Sequence, residues 1–393
     1  MIRIRALAPL LAGLALAGCR TPPPSDPQSI VITPAPPAPA EPPAPRDGDD
    51  PSAIELAMGW SGLCARVGGR VHCSALDDPG RPLSAAPALG GIDDAVSLTA
   101  GPSFVCLATR RGTVHCTGDN QFGQLGARLR EERTDRLVQV AGITDARRVV
   151  AGTWHACAVL ASGRAACWGR NERGQTGSSV AYAAEARELD VPAEVPQISG
   201  VTSIAGAFST TCATTEARDV WCWGEPKHDE HRAARGAHSE EPAPLPALAG
   251  VADVSAGESA FCGVKEGEVT CWGDLWALLP RSSGRDGRAH PLPTPRSARR
   301  VRVANSHGCA LLRDGAVACF GAGWSGALGR EVDERESGQP ARIVEGLPRA
   351  VDVAVGASMS CAVTEAHEVY CWGAFPGGKG RHEVAPRKIP VTG

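Results

Sequence analysis

The chain has 393 residues, of which 43% are hydrophobic and 4% aromatic, and its formal net charge at pH 7 is -3. A chain of this length ordinarily forms two or three domains, unless repeats build one larger closed unit. The hydrophobic content is sufficient for a core, whereas the slightly acidic charge argues against a nucleic-acid partner, which a basic surface would attract.

The first eighteen residues have the pattern of an export signal. Arg3 and Arg5 precede an apolar stretch from Ala6 to Ala17 that is too short to span a bilayer comfortably. The stretch ends in Leu16-Ala17-Gly18-Cys19, which resembles the lipobox where bacterial lipoproteins are cleaved and lipidated. We therefore expect residues 1–18 to be a removed signal peptide and Cys19 to carry lipid. An ordinary signal peptide with a chance cysteine is the alternative interpretation.

Residues 19–51 are interpreted as the lipidated cysteine followed by a spacer. The segment is rich in proline, as in Pro34-Ala35-Pro36-Pro37-Ala38-Pro39, and such a composition favours an extended polyproline II conformation over a packed core. At about 3.1 Å per residue it would hold the next domain up to roughly 90 Å from a membrane. Arg20 stands where an aspartate often marks inner-membrane retention, which favours the outer membrane of a bacterial envelope.

The remaining cysteines reveal a repeat over residues 52–393. Apart from Cys19, they form seven pairs whose members are nine or ten residues apart, and first members recur every 42 to 55 residues. The pairs are Cys64 with Cys73, Cys106 with Cys116, Cys157 with Cys167, Cys212 with Cys222, Cys262 with Cys271, Cys309 with Cys319, and Cys361 with Cys371. Each unit opens with an alternating apolar run and contains about four short strands. The sequence predicts an all-β, seven-bladed β-propeller of four-stranded antiparallel blades with one hairpin disulfide per blade.

Turn geometry supports this pairing. A two-residue turn at Glu266-Gly267 places Cys262 opposite Cys271 in a non-hydrogen-bonded pair, where Cα atoms are about 4.5 Å apart. Units with a ten-residue spacing fit a three-residue turn with glycine in the left-handed position, but Arg218 and His367 occupy that position in two of them. Those two turns are expected to be strained or of another type. Free thiols and a zinc site are the alternatives, and export favours disulfides.

The segment Asp119-Asn120-Gln121-Phe122-Gly123-Gln124-Leu125-Gly126 follows one second cysteine, and Cys167-Trp168-Gly169 begins a related run. These segments resemble the repeat of the regulator of chromosome condensation family, over roughly residues 53–393. The resemblance implies a seven-bladed propeller. The nuclear family member exchanges nucleotide on a small GTPase and binds chromatin, but an exported lipoprotein meets neither. Because the Gly-Gln-Leu-Gly step is also lost in several units, nucleotide exchange is not expected.

No catalytic, phosphate-binding or dinucleotide motif is recognised, and no catalytic residue, metal or cofactor is expected. One loop combines the metal-ligating residue types His228, Asp229, Glu230, His231 and His238, but a solvated loop is the favoured interpretation. A second segment is rich in arginine and could contact an anionic envelope surface. We favour the interpretation that this arginine-rich segment is a solvated loop that runs into a strand. The arginines of the segment are Arg281, Arg285, Arg288, Arg296, Arg299, Arg300 and Arg302.

The tryptophans divide into two groups. Four directly follow a second cysteine and are expected to pack between blades: Trp168, Trp223, Trp272 and Trp372. Trp276 and Trp324 lie off that position in loops and are candidate partner contacts. Both belong to connections between third and fourth strands, which emerge on the face opposite the cysteine hairpin turns.

These features predict a lipid-anchored binding scaffold for an unidentified protein partner of the cell envelope. Recognition is placed on the loops after each second cysteine, because Glu225–Pro242 and Asp274–Pro291 are long and dissimilar. Replacement of Leu275–Ala289 by a short linker is expected to leave stability unchanged. An enzyme with an unrecognised active site on the loop face or in the central channel is the alternative function.

The anchor prediction has a direct test. Cys19→Ala removes the residue that would carry the lipid, so the protein should move from the membrane fraction to the soluble fraction. Fractionation followed by immunoblotting measures this change, and a variant that still sediments with membranes would contradict lipidation at Cys19.

Overall fold

The computed structural model describes residues 54–59, 62–75, 88–178, 187–224, 241–279, 288–333, 337–375 and 382–391. These residues form strands β1 to β27, which are arranged in seven antiparallel sheets. Short 3-10 turns occur at Leu89–Gly91, Pro246–Leu248 and Trp324–Gly326. The predicted fold class, a seven-bladed all-β propeller, is confirmed.

Each sheet is one blade, numbered here in chain order. Blade 1 has three described strands, β1 (Glu55–Met58), β2 (Gly62–Val67) and β3 (Arg70–Ala75). Blade 2 contains β4 (Ala95–Ala100), β5 (Phe104–Thr109), β6 (Val114–Asp119) and β7 (Arg133–Gln139). Blade 3 contains β8 (Ala146–Ala151), β9 (His155–Leu160), β10 (Ala165–Arg170) and β11 (Glu188–Glu194).

Blade 4 contains β12 (Val201–Gly206), β13 (Thr210–Thr215), β14 (Val220–Gly224) and β15 (Ala243–Pro244). Blade 5 contains β16 (Val254–Ala256), β17 (Ala260–Lys265), β18 (Glu268–Gly273) and β19 (His290–Leu292). Blade 6 contains β20 (Ala298–Val303), β21 (His307–Leu312), β22 (Val317–Gly321) and β23 (Gln339–Ile343). Blade 7 contains β24 (Ala350–Val355), β25 (Met359–Thr364), β26 (Val369–Ala374) and β27 (His382–Ile389).

The hydrophobic core lies between blades. Seven apolar clusters occupy the seven interfaces between adjacent blades, and each joins side chains of two neighbours. The ring closes where Leu63 and Ala65 of blade 1 pack with Met359 and Val363 of blade 7. Within the described residues every sheet consists of strands that are consecutive in sequence, so closure uses side-chain packing and no exchanged strand.

The seven predicted disulfides are present. In every blade the two cysteines are direct partners across the second and third strands, with Cα atoms 4.0 to 4.1 Å apart. In chain order the bonds join Cys64 to Cys73, Cys106 to Cys116, Cys157 to Cys167, Cys212 to Cys222, Cys262 to Cys271, Cys309 to Cys319, and Cys361 to Cys371. Each blade therefore has one covalent bond that fixes the alignment of its central hairpin.

The register and burial of these cysteines agree with the turn analysis. Around the Glu266-Gly267 turn, Lys265 pairs with Glu268, so the two cysteines of blade 5 stand opposite each other, as the turn type predicted. Thirteen of the fourteen paired cysteines are buried, whereas Cys73 of blade 1 is half-buried. Nearly all of the sulfur atoms thus belong to the core between blades.

The turns without glycine adopt the unfavourable conformation that was predicted for them. Gly112, Gly163 and Gly315 have φ of 81°, 76° and 84°, in the left-handed region. Arg218 and His367 occupy the same position with φ of 62° and 58°. Because a side chain with a Cβ atom is disfavoured there, both turns carry local backbone strain.

Two buried histidines link neighbouring blades. His155 Nε2 lies 2.8 Å from Thr211 Oγ1 of blade 4, and Thr211 Oγ1 donates to the carbonyl oxygen of Gln175 at 2.8 Å. The hydroxyl has already donated its only proton, so His155 must donate from Nε2. Its buried Nδ1 atom has no hydrogen-bond partner within the described part of the chain, and burial lowers the pKa of the imidazole to about 4. His307 of blade 6 is placed similarly against Ser360, also with a pKa of about 4.

Arg218→Gly should stabilise the domain. Glycine removes the cost of a left-handed arginine, while its greater freedom in the unfolded chain offsets part of the gain, so we expect about 0.5–1 kcal/mol. Denaturant unfolding of the two proteins measures the difference in the free energy of unfolding. The matched control is Asp219→Gly in the same exposed turn, where φ is not positive and glycine should destabilise. Equal effects of the two substitutions would contradict the strain.

His155→Phe should reduce the acid sensitivity of the domain. The folded pKa of about 4 lies below the ordinary value of 6.5, so the unfolded chain binds more protons and stability falls as the pH decreases through this interval. The contribution is roughly 3 kcal/mol when the interval is fully crossed. Phenylalanine fits because Phe104 occupies the equivalent position in blade 2.

The measurement is the change in melting temperature between pH 7 and pH 4. It should be smaller in His155→Phe than in the wild-type protein, while His367→Asn, at an exposed turn, should leave it unaltered. An unchanged acid response in the phenylalanine variant would show that His155 does not destabilise the fold at low pH.

Candidate functional site

Trp276 projects from the ring on a rigid support. Its side chain is 45% exposed, whereas its neighbours Leu275 and Ala277 are 0% and 2% exposed. The backbone N–H of Leu279 donates to the carbonyl oxygen of Leu275 at 2.9 Å, which closes a tight turn directly after β18. Buried residues on both sides therefore hold an exposed indole in place.

Trp324 is presented in the same way by blade 6. It begins the 3-10 turn after β22, is 40% exposed, and is flanked by the buried residues Ala322 and Ala327. Ser325 beside it has φ of 62°, so the chain reverses sharply at this point. The residue thus sits at the tip of a short, packed turn.

The structure brings these two predicted contact residues together. The ring centroids of Trp276 and Trp324 are 5.8 Å apart with an interplanar angle of 45°. They are two of the three large hydrophobic residues that are exposed in the described part of the chain, the third being Val351. This tryptophan pair bridges blades 5 and 6 on the face formed by the connections between first and second strands and between third and fourth strands. We call it the loop face.

A second aromatic cluster on the loop face already contacts a cation of the chain itself, the guanidinium group of Arg170. Trp154 lies 5.8 Å from Phe122 and 4.8 Å from Phe208 between ring centroids. The guanidinium carbon of Arg170 lies 4.8 Å from the centroids of both Phe122 and Trp154, and Arg170 also forms an ion pair with Glu172. These aromatic side chains are half-buried, so the group consolidates blades 2 to 4 and offers less free apolar surface than the tryptophan pair.

The four recurrent tryptophans are architectural, as predicted. All are at most 1% exposed, and three donate from Nε1 to a carbonyl oxygen of the preceding blade. The acceptors are Gln124 for Trp168 at 2.9 Å, Gln175 for Trp223 at 2.9 Å and Ala327 for Trp372 at 3.0 Å. Each acceptor residue lies in a segment that has kept the Gly-x-x-Gly pattern of the repeat. A Cβ atom on Gly126 would lie 2.8 Å from Trp168, so glycine permits this close approach.

The expectation that Leu275–Ala289 can be replaced without loss of stability is wrong. Leu275, Leu278 and Leu279 are buried in the cluster between blades 5 and 6, so their removal would open that interface. Most of the other long loop, residues 225–240, lies outside the described residues, as do residues 280–287.

Several further predictions concern residues that are not described. Cys19 and the possible metal loop from His228 to His238 lie outside the described ranges. Within those ranges, no group of three or more His, Cys, Asp or Glu side chains could hold a metal ion, and no helix could span a membrane. In the arginine-rich segment, Arg300 and Arg302 belong to β20 and point into the central channel, so the strand interpretation holds for them.

A ring of polar residues in the central channel was missed by sequence analysis. The first strands of all seven blades line a cavity of about 1190 Å³. The residue nine positions before each first cysteine contributes one member per blade. This channel ring consists of Glu55, Ser97, Arg148, Ser203, Asp253, Arg300 and Asp352. The fixed distance from each first cysteine is the sequence signal that could have identified it.

Most members of the channel ring bond to a neighbouring blade. Arg300 Nη1 donates to Asp352 Oδ1 at 2.7 Å, and Ser203 Oγ donates to Asp253 Oδ1 at 2.5 Å. Ser97 Oγ accepts from the backbone N–H of Val149 at 3.3 Å. The ring therefore joins blades 2 to 3, 4 to 5 and 6 to 7 by direct polar contacts.

Arginines lie beside the half-buried carboxylates Glu55 and Asp253 of the ring. Arg66 Nε lies 3.1 Å from Glu55 Oε2, which also accepts the backbone N–H of Leu98 at 3.0 Å, yet burial raises the pKa of Glu55. Burial opposes ionisation of Asp253 as well. Its pKa is nevertheless lowered, because the positive charges of Arg302 and Arg148 favour the carboxylate; Arg302 Nη1 lies 2.7 Å from Asp253 Oδ2. Arg302 of blade 6 thus pairs with Asp253 of blade 5, whereas Arg66 and Glu55 lie on neighbouring strands of blade 1.

The sequence comparisons identify the repeat. The regulator of chromosome condensation (RCC1) repeat matches residues 95–124 and 146–175, which cover the first three strands of blades 2 and 3. Human E3 ubiquitin-protein ligase HERC2 is 25% identical over 289 residues, which are 68% of this chain and 6% of the ligase. The mitochondrial RCC1 domain-containing protein RUG3 of Arabidopsis thaliana is 30% identical over 151 residues, which are 34% of this chain and 32% of that protein. The chain thus spans a minor part of these relatives.

Solved structures share the architecture. Human WBSCR16 superimposes with a TM-score of 0.67 at 19% identity, covering 82% of this chain and 85% of that one. Prp20p from Saccharomyces cerevisiae gives a TM-score of 0.64 at 18% identity, covering 76% and 77%. At these identities the likeness concerns the fold. The chain is thus a seven-bladed β-propeller in which blades 2 and 3 match the regulator of chromosome condensation repeat.

Proposed function

We propose that this propeller is a binding scaffold without catalytic activity, and that it holds a protein partner on its loop face with the tryptophan pair as the anchor. The observation that carries the proposal is the exposure of Trp276 and Trp324, at 45% and 40%, in direct contact with each other. Tryptophan is strongly enriched among residues that dominate interface energies. Because buried neighbours fix both turns, little conformational entropy is lost when a partner covers the pair.

Protein binding also agrees with what is known of similar propellers. Prp20p has been described for its binding to Gsp1p and histones, and yeast RCC1 has been seen bound to Kap60. From these proteins we transfer to this chain only the general property that a propeller binds another protein. The partner proposed here is a protein of the cell envelope, and nucleotide exchange is not part of the proposal.

Export and lipid anchoring through Cys19 complete the proposal. Disulfides form and persist in oxidising compartments, and the domain has one in each of its seven blades. The proline-rich residues 20–51 would separate the propeller from the membrane. A tethered, disulfide-bonded ring is suited to present one rigid face to other envelope proteins.

Photocross-linking in intact cells tests the binding face. A photoreactive phenylalanine analogue at position 276 should form an adduct with a discrete protein that mass spectrometry can identify. The same analogue at position 351 is the matched control, because Val351 is also exposed, at 37%, but lies at the start of a first strand, near the opposite face. Equal adduct formation at both positions, or none at 276, would contradict the proposal.

The energetic contribution of the pair is measured with the purified partner. Trp324→Ser should weaken binding by about 30-fold or more, since interface tryptophans of this kind contribute roughly 2 kcal/mol or more. Val351→Ser should leave the affinity unchanged. Full affinity in Trp324→Ser would show that the tryptophan pair does not anchor the partner.

A further inference from the structure

The central channel has a polar end that the proposed scaffold function does not use. The channel ring pairs with residues next to the cysteine hairpin turns, for example Arg148 with Val159 and Ser97 with Ala108. The cavity is also lined by the turn residues Ser162, Gly163 and His367. The ring therefore lies near the face that carries the hairpin turns, opposite the loop face, and we call this the turn face.

Not all of the charged side chains that line the cavity form ion pairs with one another. Five arginines and four carboxylates line it. Three ion pairs account for six of these groups: Arg66 with Glu55, Arg302 with Asp253 and Arg300 with Asp352. Two arginines of blade 3, Arg147 and Arg148, and the exposed carboxylate of Glu216 remain.

Arg148 is the member of the ring whose side chain has no direct partner. Among the described residues no hydrogen bond or ion pair is formed by its guanidinium group, although its charge acts on both Glu55 and Asp253. Arg148 lines the same cavity as both of these residues. Both of those carboxylates already accept hydrogen bonds from other arginines.

Arg147 adds a second unsatisfied donor beside it. A bulge between Ala146 and Arg148 leaves Arg147 outside the regular pairing, and both consecutive arginines line the same cavity. The Nε atom of Arg147 is buried and has no hydrogen-bond partner among the described residues. Arg147 therefore adds a second positive charge at the cavity wall beside Arg148.

We propose that the turn-face end of the central channel binds a small anion through a carboxylate or phosphate group, with Arg148 as the direct contact and Arg147 beside it. A guanidinium offers two parallel N–H donors that match the geometry of either oxyanion. The cavity of about 1190 Å³ accommodates a small organic molecule rather than a single ion. The surrounding ion pairs hold the other charges in place, so the ligand would meet a preorganised site.

Isothermal titration calorimetry of the purified full-length chain tests this site with three probes: succinate, citrate and inorganic phosphate. The wild-type protein should bind at least one of them saturably, and comparison of the probes distinguishes carboxylate from phosphate recognition. Arg148→Ser should weaken that binding by at least about tenfold, because a charge-assisted bidentate contact is lost. Serine is the natural ring residue of blades 2 and 4, so the substitution is compatible with the fold.

The matched control is Arg164→Ser in the hairpin turn of the same blade. It removes an equal charge from an exposed arginine that pairs with Glu194 and does not line the cavity, so binding should remain as in the wild type. Arg148→Gln provides the same readout if the serine variant fails to fold. No saturable binding of any probe, undiminished binding in both Arg148 variants, or an equal loss in Arg164→Ser would overturn the proposal. Trp324→Ser should not affect this binding, which separates the site from the loop-face function.

Discussion

The disulfide across the second and third strands is the constraint that aligns the whole ring. It joins residues that are direct partners in every blade, in a largely buried position between packed sheets. A one-residue slip of either strand would invert which side chains face the neighbouring blade, and the covalent bond prevents this slip. Alignment within each blade is therefore independent of how long the loops are.

Because the alignment is constant, a fixed distance from a cysteine means the same place in every blade. Two residues before the first cysteine, Phe104 and His155 occupy the same site between blades. Five residues after the second cysteine, blades 5 and 6 carry Trp276 and Trp324, whereas blades 2 and 3 carry Gln121 and Glu172. The tryptophan pair is thus a local variation on a repeated position, which is how a repeat protein can place one specific contact without altering its frame.

The sequence was sufficient for features that depend on one hairpin. Turn length and the glycine positions determined the cysteine partners, and the same logic identified Arg218 as a strained residue. Trp276 and Trp324 were also selected as exposed residues, because they stand outside the recurrent position that is buried. These inferences needed only local geometry, which short-range sequence patterns specify well.

Features that depend on the contact between two blades could not be predicted from the sequence. The 5.8 Å separation of the tryptophans requires the angle between neighbouring sheets, which no single repeat encodes. The burial of Leu275 and Leu279 was missed for a related reason. A short apolar segment after a strand resembles part of a variable loop in the sequence, and only its contact with the adjacent blade shows that it is buried. The ion pair between Arg300 and Asp352 likewise joins residues 52 positions apart, whose proximity follows only from the packing of blade 6 against blade 7.

The two proposed sites differ in the physical force that each would use, and the closed ring keeps them separate. Apolar burial at the tryptophan pair changes little at moderate salt, whereas attraction of an anion to Arg148 is weakened by screening. Seven apolar interfaces and the polar contacts of the channel ring oppose rotation of one blade against the next. Coupling between sites requires an element with two arrangements that both ligands favour differently. A ring that is fixed at every interface disfavours such an element, so we expect the two faces to bind independently.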